Sequence, residues 1–162
     1  MNPAESQETA SNPIDVVEHI LNRQAYELER RSRNEVVVEI KGRWNEMLLF
    51  FSWEESMHCL HVSCLINIED QHNKIFELLA LINDDLWVGH FSYWTEQKMP
   101  VFRYSLFYNP DNKDFSIQLT HVMDIAVKEC ERMYPVFNVV LTKGMEPRQA
   151  LYPMLLETLG QA

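Results

Sequence analysis

Four strand-like runs follow one another at residues 26–31, 35–41, 45–53 and 57–66, with only three residues between each pair. Parallel neighbours need a crossover of roughly a dozen residues or more, so joints this short permit antiparallel hairpins and little else. No other feature narrows the fold as much. Within the second run Val36, Val38 and Ile40 face one way, while Glu35, Glu39 and Lys41 face water. The first run is short and charged, which reads as an edge strand. The third is apolar on both faces, with Met47, Leu49 and Phe51 opposing Leu48 and Phe50, and predicts a central strand covered on both sides. In the fourth, His58, Leu60, Val62, Cys64 and Ile66 share a face.

Helices frame these runs. Asn12-Pro13 reads as an N-cap followed by proline at the first helical position, and Ile14, Val17 and Leu21 recur at helical spacing, predicting a helix over 13–23. A second helix is expected over 69–82 on the stripe Ile75, Leu78, Leu79 and Ile82. Asp84 and Asp85 would oppose the dipole at a helix C-terminus, so its end is set near Asn83, which tolerates a left-handed cap. Two aromatic strands follow, 86–94 and 101–108, joined by a polar turn containing Pro100. A third helix starts near Asp114 with Phe115, Leu119, Val122, Ala126 and Cys130 on its buried face, and Pro135 is expected to kink or end it. Residues 136–141 read as helical continuation or a short strand, with helix favoured. A last helix from Pro147 carries Leu151, Leu155, Leu156 and Leu159.

The fold class is α+β, a twisted antiparallel sheet with helices packed on it. Residues 1–12 read as a disordered polar tail and 13–162 as a single domain. The expected core includes Val36, Val38, Ile40, Leu49, Leu60, Val62, Leu78, Ile82, Phe91, Leu119 and Ala126. Gly89 interrupts a strand-like run, where glycine loses packing and costs backbone entropy. It marks either a neighbouring helix or large ring lying tight on the sheet, or a ligand approaching the backbone.

Composition restricts function. An apolar fraction of 46% with 23% charged residues belongs to a globular chain, and a net charge of −10 disfavours nucleic acid or an anionic membrane as the main partner. The basic cluster Arg30, Arg31, Arg33 lies among Glu27, Glu29 and Glu35 and reads as a solvated turn. Three cysteines are too few for a disulfide framework and fit reduced thiols in the cytoplasm. The first dozen residues lack the basic and apolar regions of a signal peptide, and no apolar run approaches a transmembrane span.

No catalytic constellation emerges, and neither a cofactor nor a metal is expected. Cys59 and His61 would share a strand face, but alternation sends His58 and Cys64 to the other, so one site cannot use all four. His90 and His121 lack a nucleophile motif beside them, and Asp84-Asp85 diverge as adjacent residues do. The aromatic set Trp87, Phe91, Tyr93, Trp94, Phe102, Tyr104, Phe107 and Tyr108 splits across two faces, one packed on helices. The other, if uncovered, implies a partner or a dimer.

Several motifs are familiar. Trp53-Glu54-Glu55, the strand His61-Val62-Ser63-Cys64, and Leu79-Ala80-Leu81-Ile82-Asn83 leading to Leu86-Trp87-Val88-Gly89-His90-Phe91 resemble the YbjN-like family. Cys130-Glu131-Arg132-Met133-Tyr134-Pro135-Val136-Phe137 and Leu155-Leu156-Glu157-Thr158-Leu159-Gly160 are similar to its alphaproteobacterial branch. The resemblance covers nearly everything after Asn12. It implies a bacterial sensory transduction regulator, a fold like that of type III secretion chaperones, and a tendency to dimerise and bind polypeptides. It carries no catalytic or cofactor residues. Pro135 and Pro153 are not part of the chaperone pattern.

The expected function is therefore a non-enzymatic, cytoplasmic regulatory or chaperone-like protein-interaction domain, with a homodimer as its assembly. The alternative is a small-ligand sensor with a pocket between sheet and helices. Leu151, Leu155, Leu156 and Leu159 are the candidate partner or dimer surface, unless that stripe completes the monomer's core.

Overall fold

A computed structural model describes residues 12–159, with side chains as far as Met154. Helix α1 (Pro13–Arg23) precedes strands β1 (Leu28–Ser32), β2 (Glu35–Lys41) and β3 (Glu46–Glu54), a single 3-10 turn (Glu55–Met57) and β4 (Cys59–Ile66). Helix α2 (Ile75–Asp85), the hairpin β5 (His90–Trp94) and β6 (Met99–Phe107), and helices α3 (Phe115–Leu141) and α4 (Pro147–Leu159) follow. The strands form one sheet in the order β1-β2-β3-β4-β6-β5, antiparallel at every joint. The expected α+β class and strand pairing are both present. The N-terminal tail to Ser11 lies outside the described residues.

Asn12 starts the first helix as its sequence position predicts. Its side-chain oxygen accepts from the Ile14 N–H at 2.9 Å, while its amide donates to the Arg33 carbonyl and to Asn34, tying α1 to the β1–β2 turn. All eleven expected core residues are buried. They belong to one cluster between the helices and a single face of the sheet. Across its middle the register Val38, Leu49, Cys64, Phe102, Phe91 runs strand by strand. The rings of Phe91 and Phe102, and of Phe91 and Phe137 from α3, meet edge-on at 5.4 and 5.3 Å.

Helix α2 begins at Ile75, six residues later than its periodicity indicates. The preceding backbone is engaged elsewhere. Asp70 N–H donates to the Lys98 carbonyl and Gln71 N–H to the Leu141 carbonyl, and Asn73 is left-handed at φ 55°. Nor is Asn83 a cap, since the helix continues through Asp85. Its side chain instead donates to the Phe91 carbonyl at 2.8 Å and accepts from the Phe91 N–H at 2.7 Å, fastening β5 to α2. Strand β5 starts only at His90; Trp87, expected within it, is 99% exposed. Pro100, expected in a turn, is buried inside β6.

Pro135 neither ends α3 nor leaves 136–141 as strand; the helix runs on to Leu141. Its ring faces out, while Met133, Val136 and Phe137 beside it are buried. Each such side chain contributes about 1.5–3 kcal/mol on burial, and together they outweigh the ~3 kcal/mol cost of an interior proline.

The main correction concerns β3. Met47, Leu49 and Phe51 are buried under helices as expected, but Leu48 and Phe50 on its other face are only half-buried. The four helices pack on one side of the sheet, and no described element covers the second. The buried residues Val37, Leu65 and Val101 of that second face stand apart from the helix-side cluster.

Candidate functional site

The second face of the sheet is built by alternation. Three cross-strand rows run over it: Glu29-Val37-Phe50-Ser63-Arg103-His90, Glu39-Leu48-Leu65-Val101-Ser92, and Glu35-Ser52-His61-Ser105. Each row begins with a carboxylate at the β1–β2 side. Its middle is apolar or small, and two of the three carry their basic groups toward the β5 side. Trp94 lies edge-on to Phe50 at 6.1 Å, and the Arg31 guanidinium sits 5.6 Å above the Phe50 ring. Between Phe50, Trp94, Val101, His61 and Arg103 lies a cleft of about 280 Å³.

The polar groups of this face are incompletely satisfied. His61 Nδ1 is 2.8 Å from Ser105 Oγ, but His61 Nε2, Ser92 Oγ and Arg103 Nε are buried without a hydrogen-bond partner among the described residues. A buried donor or acceptor left unpaired costs about 1–3 kcal/mol. The His61 pKa is lowered, chiefly by burial and then by the charges of Arg103 and His90.

The charge on the face is divided. Its carboxylates, Glu29, Glu35, Glu39, Glu46 and Glu54, all stand on β1, β2 and β3, where Arg31 and Lys41 offset two of the five. The exposed-face positions of β4, β6 and β5 carry Arg103, His61 and His90 and no carboxylate at all.

Other expected candidates fall elsewhere. Cys59 and His61 share the second face as predicted, and Cys64 faces the core. His58 leaves the strand in a left-handed conformation, so it shares no face with Leu60. His121 is exposed on α3, and Asp84 and Asp85 are exposed at the end of α2. Cys130 Sγ approaches the Cys64 carbonyl at 3.7 Å, and burial pushes its thiol well above the usual range, which suits packing and not nucleophilic attack. Among the described residues no group of three or more His, Cys, Asp and Glu could hold a metal.

On α4, Leu151 packs half-buried against the core; the side chains of Leu155, Leu156 and Leu159 lie outside the described residues. A separate groove of about 760 Å³ runs between α3 and α4, with Val136, Val139, Ala150 and Met154 along it and Trp44 at its rim. Sequence reasoning passed over Arg103, although alternation already put it on the face opposite Phe102 and Tyr104.

The fold is that of an α+β protein with helices on one face of its sheet, and three of the four buried unpaired polar side-chain atoms among the described residues lie on the other face. The chain belongs to the YbjN family, described as a putative bacterial sensory transduction regulator, whose profile matches residues 13–138. No curated protein matches the chain. No described helix is long and apolar enough to cross a membrane.

Proposed function

We propose that this protein is a non-enzymatic regulatory domain that acts by binding a polypeptide through the second face of its sheet. One observation carries the reading: Leu48, Phe50 and Trp94 stand half-exposed on a sheet face that no described helix covers. A contiguous apolar patch of this kind marks an interaction site more often than an ordinary surface. The family's regulatory description agrees with a role in contact and signalling. Three free cysteines suit the reducing cytoplasm. A small-ligand pocket between sheet and helices has less support, because Phe91, Phe102 and Phe137 fill the middle of that layer.

In-cell photo-cross-linking tests this proposal. A photoreactive residue at Phe50 should give a discrete adduct with a polypeptide, while one at the exposed Ile117 of α3 should not. No adduct at Phe50, or the same adducts at both positions, would count against the sheet face.

A further inference from the structure

We propose that the polypeptide on this face is a second copy of the chain, related by a two-fold axis that runs along the strands. The inference rests on the sheet face being the working surface, and it names the occupant and its orientation.

The charge layout carries the argument. An isologous interface sets one patch against itself, so the patch must be self-complementary. The unpaired carboxylates Glu35 and Glu39 of β2 lie toward one edge of the sheet, beside β1 where Arg31 pairs with Glu29, and Arg103 of β6 lies toward the other edge. An axis across the strands would stack β2 on β2 and β6 on β6, setting Glu35 over Glu39 and Arg103 over Arg103. An axis along the strands reverses the order, stacking β1 over β5 and β2 over β6. Arg103 then lies over the part of β2 between Glu35 and Glu39, because Val37 shares its row. None of these three charged groups forms an ion pair among the described residues. Near the axis β3 stacks over β4, so Leu48 of one copy faces Leu65 of the other, and Phe50 faces Ser63.

Size agrees with this assembly. Six strands about 4.8 Å apart, each presenting about 20 Å of length, give a plan area on the order of 500 Å² before side-chain relief is counted. That approaches the ~800 Å² of accessible surface per partner in a standard stable interface. Aligned face-to-face packing is also a usual arrangement for two twisted sheets.

Sedimentation velocity on purified full-length protein tests the proposal. Wild type should be a dimer from micromolar concentration upward. Arg103→Glu and Glu39→Arg should each lose the dimer while keeping native circular dichroism, since both side chains lie outside the core. Combining the two substitutions in one chain, or mixing the two single variants, should restore it. Should a variant fail to fold, Glu35→Arg provides a second acidic position with the same expected loss and the same rescue by Arg103→Glu. A monomeric wild type overturns the proposal, as does a dimer indifferent to both charge reversals. If wild type is monomeric yet Phe50 still cross-links to a different polypeptide, the working surface stands and only its occupant is wrong. If neither association occurs, both readings fall.

Discussion

Gly89 sits at φ +70°, and a Cβ built on it would lie 2.2 Å from Phe102 Cζ and 2.9 Å from the Arg103 carbonyl oxygen. Backbone strain and overpacking act together there, so Gly89→Ala should destabilise the protein by about 2–4 kcal/mol, and Gly89→Val by more. An unchanged midpoint in a urea melt would contradict this. Asn83→Ala leaves both backbone groups of Phe91 without their side-chain partner and should cost about 2–3 kcal/mol in the same assay. His61 supplies a pH effect. Its folded-state pKa is lowered, so the unfolded chain takes up the proton more readily, and stability should fall as pH drops through about 6.5 toward the lower folded value. His61→Asn should flatten that slope in melts compared between pH 7 and 5. The oddness of Gly89 was legible in the sequence as a sign of tight packing. The ring responsible was not, because it depends on β5 pairing with β6. Trp87 misled for a related reason: its neighbours Leu86 and Val88 complete a strand pattern, but the left-handed turn at Gly89 delays the strand to His90.

At the scale of elements, helix α1 and strand β2 matched their patterns because cap, periodicity and alternation agree within a few residues. Helix α2 did not. Two of its first six expected residues, Asp70 and Gln71, are held by hydrogen bonds to Lys98 and Leu141, partners far away in sequence that no local pattern reveals. Helix α3 shows packing overriding a local rule. Pro135 lies within it because its ring faces out and its neighbours are buried. Pro135→Ala should therefore supply the missing N–H and stabilise the protein by about 1–3 kcal/mol. A lower urea midpoint in the variant would show that the ring makes a contact worth more than the hydrogen bond. For the site, the alternation of β3 gave the two apolar faces correctly. Their coverage could not be read, since it depends on which side of the sheet each helix takes.

For the whole molecule, four helices against six strands leave one sheet face uncovered among the described residues, and that face carries its carboxylates on β1, β2 and β3 and Arg103 on β6. A uniformly polar face would need no partner, and a uniformly apolar one would invite unspecific association. Glu35 and Glu39 toward one edge and Arg103 toward the other, on either side of Leu48, Phe50 and Leu65, favour one arrangement over others, while the overall charge of −10 discourages the rest. Hydroxyl-radical footprinting at working concentration tests this most directly, with Trp87 as an internal fully exposed reference. The account predicts that Phe50 and Trp94 are protected in the wild type and become reactive in Leu48→Glu, while Trp87 is oxidised equally in both. Equal oxidation of Phe50 and Trp94 in the folded wild type and in the folded variant would contradict it.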